Sequence, residues 1–255
     1  MKTTIQLITT ECKRGYSPNK IKRYDMINNY EKNNQVEIKG KLASEPVFSH
    51  TVLGEGFYEV DILVKRLSSQ VDVLPVTISE RLLPEITNKD EEIGIIGQLR
   101  SYNKLEGEKS RLILTIFARE IVPAEQILNG NQIEMTGYVC KEPIYRTTPF
   151  GREITDVLIA VNRAYNKSDY LPCIAWGRNA RFAGDLQIGE KVSIKGRIQS
   201  RIYQKKIDEE TVISKTAYEV SISTIMQESE EEREENEEEK TSPFHIVESA
   251  NTNAL

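Results

Sequence analysis

The sequence predicts a mainly β protein made of two tandem copies of one small domain. Two observations lead to this prediction. The segment NQVEIKGKLASEPVF, which begins at Asn34, returns at Asn131 as NQIEMTGYVCKEPIY. Within each copy, short runs that alternate β-branched and polar residues dominate the local pattern. Each copy spans about 90 residues, which is typical of a whole small domain rather than of a solenoid repeat.

The repeat also predicts the domain boundaries. Residues 34–75 match residues 131–172 without a gap at an offset of 97, and IIGQLRS at 95–101 matches IKGRIQS at 194–200 at an offset of 99. The segment VPAEQILNGN between the copies carries Pro, Asn and Gly, which is typical of a linker. We therefore predict a basic N-terminal arm at 1–33, a first domain at 34–126, a second domain at 131–227 and a disordered acidic tail at 228–255.

The elements of the second copy follow one another in a recognisable order. Five strands are predicted, in the order QIEMTGYV, TDVLIAVNR, YLPCIAW, KVSIKGRIQSRIY and AYEVSISTI. A helix is predicted in GRNARFAGDLQIGE, between the third and fourth strands. This order is that of the OB-fold, a five-stranded Greek-key barrel, and two such barrels in tandem are our prediction. Another small β-barrel or a β-sandwich is the alternative.

Charge is distributed unevenly along the chain. The net charge is −5, but the acid is concentrated in the run ESEEEREENEEEK that begins at Glu228. Residues 131–227 hold 14 Lys and Arg against 11 Asp and Glu, whereas residues 34–126 hold 11 against 15. The second domain is therefore basic by itself, as a nucleic-acid-binding domain requires, and the first is acidic.

Three segments of the second copy carry a resemblance to a known family. They read EPIYRTTPFGREITDVLIAVNR, DYLPCIAWGRNARFAGDL and IGEKVSIKGRIQSRIY. In them a Pro follows the first strand, a Thr-x-x-Gly turn precedes the second, and Ala-Val-x-Arg ends it. Residues 132–225 thus resemble the bacterial single-stranded DNA-binding protein family, and the whole chain resembles a tandem two-domain variant of it. The resemblance implies OB-folds and largely sequence-independent binding of single-stranded DNA, in DNA replication, repair or recombination.

The resemblance also implies which residues contact the DNA. Four aromatic residues fall on the family's base-stacking positions: Tyr165, Tyr170, Trp176 and Tyr203. Basic residues that would neutralise phosphates lie close to them in sequence: Arg163, Arg178, Arg197, Arg201, Lys205, Arg146 and Arg152. Tyr170 and Trp176 lie six residues apart on one strand and therefore share a face, which leaves Cys173 and Ala175 for the barrel interior.

The first copy lacks these aromatic residues. Ser68, Val73 and Ser79 stand at the positions of Tyr165, Tyr170 and Trp176, and Lys104 falls near that of Tyr203. Because this copy is also acidic, repulsion would oppose the approach of phosphates. We predict a structural or dimerising domain with weak nucleic-acid contact at best.

Other functions are less well supported. Phosphate-loop, dinucleotide-binding and zinc-binding motifs are absent from the sequence, and His50 and His245 are its two histidines. We predict no enzyme activity, no cofactor and no metal. RNA as the ligand remains open, as does a protein-interaction module in a primosome-like, replication-restart assembly.

Partners and location are also predicted. The family commonly assembles four OB-folds, which implies a homodimer of this two-domain chain. An acidic tail with a hydrophobic tip recruits replication and repair proteins in the family, but eleven residues follow Phe244 here, which departs from that pattern. We found neither an export signal nor a long apolar stretch, and the three cysteines form no disulfide framework. We expect the bacterial cytoplasm and no membrane contact.

Overall fold

A computed structural model describes residues 33–86, 92–107, 109–206 and 212–228. Two predictions, the basic arm and the acidic tail, therefore lie outside the described residues except at Asn33 and Glu228. The remainder is mostly β and confirms the prediction of two tandem OB-folds.

Within the described residues, each copy contributes six strands. The first copy holds β1 Asn34–Leu42, β2 Val47–Val52, β3 Glu55–Lys65, β4 Val71–Ser79, β5 Glu92–Glu106 and β6 Lys109–Pro123. The second holds β7 Asn131–Val139, β8 Ile144–Thr147, β9 Glu153–Arg163, β10 Lys167–Trp176, β11 Lys191–Lys206 and β12 Val212–Gln227.

The sequence predicted five strands for each copy, and the sixth is the short strand β2 or β8. Each of these forms a hairpin with the strand that follows it, β3 or β9. Every residue of β2 and β8 is exposed. A fully exposed strand lacks the apolar alternation on which strand prediction depends, so the pattern did not indicate it.

An α-helix, α1 Arg178–Asp185, connects β10 to β11, as the sequence predicted. The first copy has a 3-10 turn, Glu80–Glu85, at the same place. Pro84 lies inside this turn. Proline has no amide hydrogen and its ring clashes with the preceding turn, which disfavours an α-helix here. Two further 3-10 turns lie at Ala124–Gln126 and Ala164–Asn166.

Each barrel closes where its first strand pairs on both sides. Strand β1 pairs with β5 and with β3, and β7 pairs with β11 and with β9. Gly40 and Gly137 lie at these crossings, where an added Cβ would collide with the carbonyl oxygen of Leu63 or of Ala160. Glycine is therefore required at both positions, and it occupies equivalent positions of the two copies.

Alternate residues of the barrel strands form the core. On β9, the side chains of Val157, Ile159 and Val161 are at most 3% exposed and pack in the core cluster. Burial of one such side chain contributes about 2 kcal/mol to stability. The interior faces thereby fix the register of each strand and determine which side chains point outward.

The two barrels are joined through their first strands. Strand β1 pairs antiparallel with β7, so that Val36 lies opposite Ile133, its own equivalent in the repeat. The register is symmetric about this pair, since Asn34 lies opposite Met135 and Ile38 opposite Asn131. The two copies are thus related by an approximate two-fold axis, and one twelve-stranded sheet runs through both.

Candidate nucleic-acid interface

Tyr165 lies in the short turn that connects β9 to β10. Its backbone has φ +63° and ψ +36°, and Asn166 follows with φ +55°. Two consecutive residues in the left-handed region are uncommon outside glycine, and the strain must be supported by the surrounding structure. The turn holds the Tyr165 side chain away from the barrel, with 80% of the residue exposed.

Tyr170 and Trp176 lie on the outward face of β10. Tyr170 is 45% exposed and Trp176 is 39% exposed, whereas Cys173 and Ala175 are buried in the core. The predicted orientation of this strand is therefore confirmed. Ile174 shares the outward face but is 5% exposed and lies outside the core cluster, so part of this face is covered.

Tyr203 is half-buried on β11 and lines a groove of about 490 Å³. Arg146, Arg201 and Pro172 of the second domain line the same groove, together with Arg111 of the first. The outward face of β10 borders this groove, because Pro172 lies between Tyr170 and Trp176 on that face.

The predicted basic residues form two classes. Three of them are ion-paired: Arg163 with Asp169 at 3.3 Å, Arg146 with Asp156 at 2.8 Å, and Arg201 with Glu219 at 3.8 Å. Arg152, Arg178 and Arg197 are exposed, and no ion pair joins them to another residue in the part of the chain that the structure describes. Lys205 lies near the far end of β11, opposite Ile213.

A larger groove, of about 590 Å³, lies between the two domains. The second domain contributes Arg163, Tyr165, Lys167 and Asp169 to its lining. The predicted site residues therefore do not converge on one groove. Arg163 and Tyr165 line this inter-domain groove, the set around Tyr203 lines the smaller one, and Tyr170 and Trp176 lie on the face of β10.

The first domain lines the inter-domain groove with aromatic and basic residues that the sequence analysis missed. They are His50, Phe57, Phe117, Arg100 and Arg119. None of these aromatic residues lies at a position equivalent to a predicted stacking residue of the second copy. A comparison of equivalent positions therefore did not find them. A signal was available, because a comparison that included the cross-strand neighbours of Ser79 would have found Phe57.

A separate polar cluster joins α1 to β9. Arg181 and Glu153 form an ion pair at 2.7 Å, and the Tyr145 hydroxyl donates a hydrogen bond of 2.6 Å to Glu153. The Arg181 hydrogen bonds and then the Tyr145 hydrogen bond lower the pKa of Glu153 to about 2. Glu153 is therefore ionised at neutral pH and fixes the helix beside the exposed strand end that carries Trp176.

The described part of the chain shows neither a metal site nor a membrane-spanning helix. Among the described residues, no three His, Cys, Asp or Glu side chains lie close enough together to bind a metal ion. Within the same residues, no helix has the length and apolar character needed to cross a membrane.

Comparisons with known proteins place the second domain in a family. Residues 130–228 match the model of the Single-strand binding protein family. Single-stranded DNA-binding protein B of Bacillus subtilis (strain 168) is 34% identical over 83 residues, which cover 30% of this chain and 74% of that protein. The single-stranded DNA-binding protein of Clostridium tetani is 31% identical over 83 residues, covering 30% of this chain and 57% of that protein.

The chain spans about half the length of most of the curated relatives that it matches. Among solved structures, the wild-type single-stranded DNA binding protein from Thermus aquaticus superposes with a TM-score of 0.58. The superposition covers 77% of this chain and 93% of that one, at 20% identity. The fold of this chain is therefore similar to that of the Thermus aquaticus protein.

Proposed function

The chain belongs to the single-strand binding protein family, and from this membership we propose that it binds single-stranded DNA. The binding is largely independent of sequence and involves no catalysis. The observation that carries the proposal is the exposure of Tyr165, Tyr170 and Trp176 on one domain, with Arg163 and Lys167 lining the same groove as Tyr165. Single exposed apolar residues are common on protein surfaces, but several exposed aromatic side chains on one domain are typical of a ligand-binding surface.

Stacking supplies the first part of the binding energy. Each base that stacks on an aromatic side chain contributes about 1–3 kcal/mol, and every base has a face that can stack. Tyr165, Tyr170, Trp176 and Tyr203 offer four such side chains. Recognition by stacking therefore tolerates any base sequence.

Phosphate neutralisation supplies the second part. Arg152, Arg178 and Arg197 are exposed and have no acidic partner among the described residues, so a phosphate can approach them without first breaking an ion pair. Arg146, Arg163 and Arg201 would exchange a carboxylate for a phosphate. Each neutralised phosphate releases counterions, so affinity falls as salt rises.

The fluorescence of Trp176 tests the proposal directly, because it is the single tryptophan of the chain. Oligo(dT) should quench this fluorescence, with an affinity that decreases with salt concentration. Arg178→Gln should reduce the salt slope by about 1 without changing the extent of quenching. Oligo(U) and duplex DNA serve as the comparison ligands. Quenching by none of them would refute the proposal, and equal binding of oligo(U) would broaden the ligand to RNA.

We further propose the setting in which this binding occurs. The chain acts in DNA replication, repair or recombination in the bacterial cytoplasm, and two chains associate to bring four OB-folds together. Support comes from the family membership and from the apolar Val71 and Val73, which remain 48% and 38% exposed on β4. Light scattering on the full chain tests the association, and a monomeric mass would contradict it.

A further inference from the structure

We propose that the first domain holds a second subsite for the same unpaired strand, made of a ring stack and two arginines on its side of the inter-domain groove. The ring stack consists of His50, Phe57 and Phe117, and the arginines are Arg100 and Arg119. The inference rests on the proposed function, because it extends the path of the single strand from the second domain onto the first.

The ring stack stands beside the place where the second domain has Trp176. Ser79 is the repeat equivalent of Trp176, and Phe57 lies directly opposite Ser79 on the neighbouring strand. In the second domain the corresponding pair is Trp176 opposite Ile154. The large ring and the smaller residue have thus exchanged strands, and the aromatic surface of the first domain has moved rather than disappeared.

The three rings contact one another in sequence. The centroids of Phe57 and Phe117 lie 5.8 Å apart, and those of His50 and Phe57 lie 5.3 Å apart with planes inclined by 17°. His50 is exposed, whereas the two Phe side chains are half-buried. The stack therefore ends in a flat aromatic ring that faces solvent, which is the surface on which an unpaired base stacks.

Two guanidinium groups lie beside this stack. The Cζ atoms of Arg100 and Arg119 are 5.6 Å and 5.5 Å from the centroid of Phe117, within the range of a cation–π contact. Arg119 is exposed, so its charge can reach a phosphate, and its plane can stack on a base. Aromatic rings and guanidinium groups therefore lie side by side here, and these are the two components of a single-strand binding surface.

The groove connects this subsite to the second domain. Its basic lining comes from both copies, with Arg100 and Arg119 on one side and Arg163 and Lys167 on the other, and Asp169 is its one acidic residue among those described. Tyr165 lines the same groove. A strand that stacks on Tyr165 therefore meets cations on the first domain without leaving the groove.

Among the described residues, no acidic side chain of the first domain lines this groove. Glu59 and Asp61 line a second groove, which shares Tyr102 and Thr115 with the first but none of the three rings or two arginines. Since mobile ions screen charges beyond about 10 Å, the local basic lining dominates over the sum for the domain. A subsite here gives the first domain more than the weak nucleic-acid contact at best that its sequence predicted.

A tryptophan placed at the end of the stack reports on the subsite. In full-length protein carrying His50→Trp and Trp176→Tyr, an oligo(dT) of about 30 nucleotides, long enough for two OB-folds, should quench the new tryptophan. The unaltered protein measures quenching of Trp176 by the same oligonucleotide in parallel. Quenching of Trp176 without quenching at position 50 would overturn the second subsite and leave the proposed function intact. Absence of quenching at both positions would refute both.

Two substitutions test the contribution of the stack to affinity. Phe57→Leu keeps an apolar side chain but removes the ring, and Arg119→Gln removes the charge. Each should weaken binding of the long oligonucleotide about fivefold or more. The affinity for an oligonucleotide of about 8 nucleotides, measured by quenching of Trp176, should stay unchanged.

Phe48→Leu is the matched control. Phe48 is an exposed ring of the same domain, which packs edge-on against Tyr58 at 5.6 Å and does not line the groove. The Phe48→Leu variant should bind the long oligonucleotide with the same affinity as the unaltered chain. Thermal unfolding checks that every variant is folded. Equal affinities of Phe57→Leu, Phe48→Leu and the unaltered chain for the long oligonucleotide would refute the subsite.

Discussion

Asp72 of the first domain accepts hydrogen bonds from both the amide (2.7 Å) and the hydroxyl (2.9 Å) of Ser200 in the second. The repeat-equivalent contact also exists, since Asp169 accepts a hydrogen bond of 2.7 Å from the amide of Ser101. The two contacts differ in how fully the carboxylate oxygens are hydrogen-bonded. Arg66 donates two hydrogen bonds of 2.6 Å to Asp72, whereas the Oδ2 atom of Asp169 has no hydrogen-bond partner among the described residues.

The two carboxylates consequently differ in pKa. Burial acts to raise the pKa of Asp72, but the hydrogen bonds from Arg66 and Ser200 outweigh it and hold the pKa below its ordinary value. Burial raises the pKa of Asp169, and the Ser101 amide with Arg163 and Arg100 offsets it only in part. The symmetric pair of contacts is therefore energetically asymmetric.

Asparagine at each position should reveal this asymmetry. Asp72→Asn breaks a buried ion pair and should lower the free energy of unfolding by about 3 kcal/mol. Asp169→Asn removes a poorly compensated charge and should cost about 1 kcal/mol or less. Urea unfolding of the full chain measures both. Equal losses would show that the two contacts are equivalent in solution.

The contacts of Glu153 that hold helix α1 should be lost only at strongly acidic pH. Glu153 has its pKa lowered from 4.5 to about 2, so its contacts stabilise the folded chain above pH 4.5 and are lost as the pH falls from there toward 2. Arg181→Gln should return the pKa of Glu153 toward 4.5, because Arg181 is the main cause of the shift. NMR titration of the Glu153 carboxyl measures this, and an unchanged pKa in the variant would exclude the ion pair as its origin.

Tyr165 should separate binding from stability. Tyr165→Ala and Tyr165→Gly both remove the stacking ring, so both should weaken binding of oligo(dT) about fivefold to 150-fold. Glycine adopts φ +63° without strain, so Tyr165→Gly should be about 1 kcal/mol more stable than Tyr165→Ala. Thermal unfolding and Trp176 fluorescence supply the two readouts. Greater stability of the alanine variant would mean that the turn changes conformation.

The acidic run should compete with DNA for the basic residues. Removal of residues 229–255 deletes most of the negative charge near the C-terminus but keeps Glu228, which forms an ion pair with Lys191. The shortened chain should bind oligo(dT) more tightly at low salt and equally at high salt, because salt screens the competition. An affinity that is independent of the deletion at every salt concentration would exclude this competition.

The repeat made the fold predictable, and it also limited what could be predicted about the site. Offsets of 97 and 99 residues placed the strands of both barrels, and the alternation of residues along one strand predicted the outward orientation of Tyr170 and Trp176. The comparison of equivalent positions missed Phe57, because the ring had moved to the adjacent strand. The pairing of Val36 with Ile133 could not be predicted from the sequence either, because strand register between domains depends on tertiary packing.

Summed charge was the least reliable guide to the site. The first domain is acidic as a whole, yet Glu59 and Asp61 lie in one groove and Arg100 and Arg119 in another. Sequence order does not indicate which groove an exposed side chain will line, because residues of neighbouring strands are distant in the chain.

The pairing of β1 with β7 has a consequence for how the two halves can change. In an assembly of identical subunits, every substitution is imposed on both sides of the axis, and dilution can separate the subunits. Here both sides are encoded separately and remain tethered at any concentration. Each barrel can therefore acquire its own ligand-facing chemistry while the strand contact at the axis stays intact.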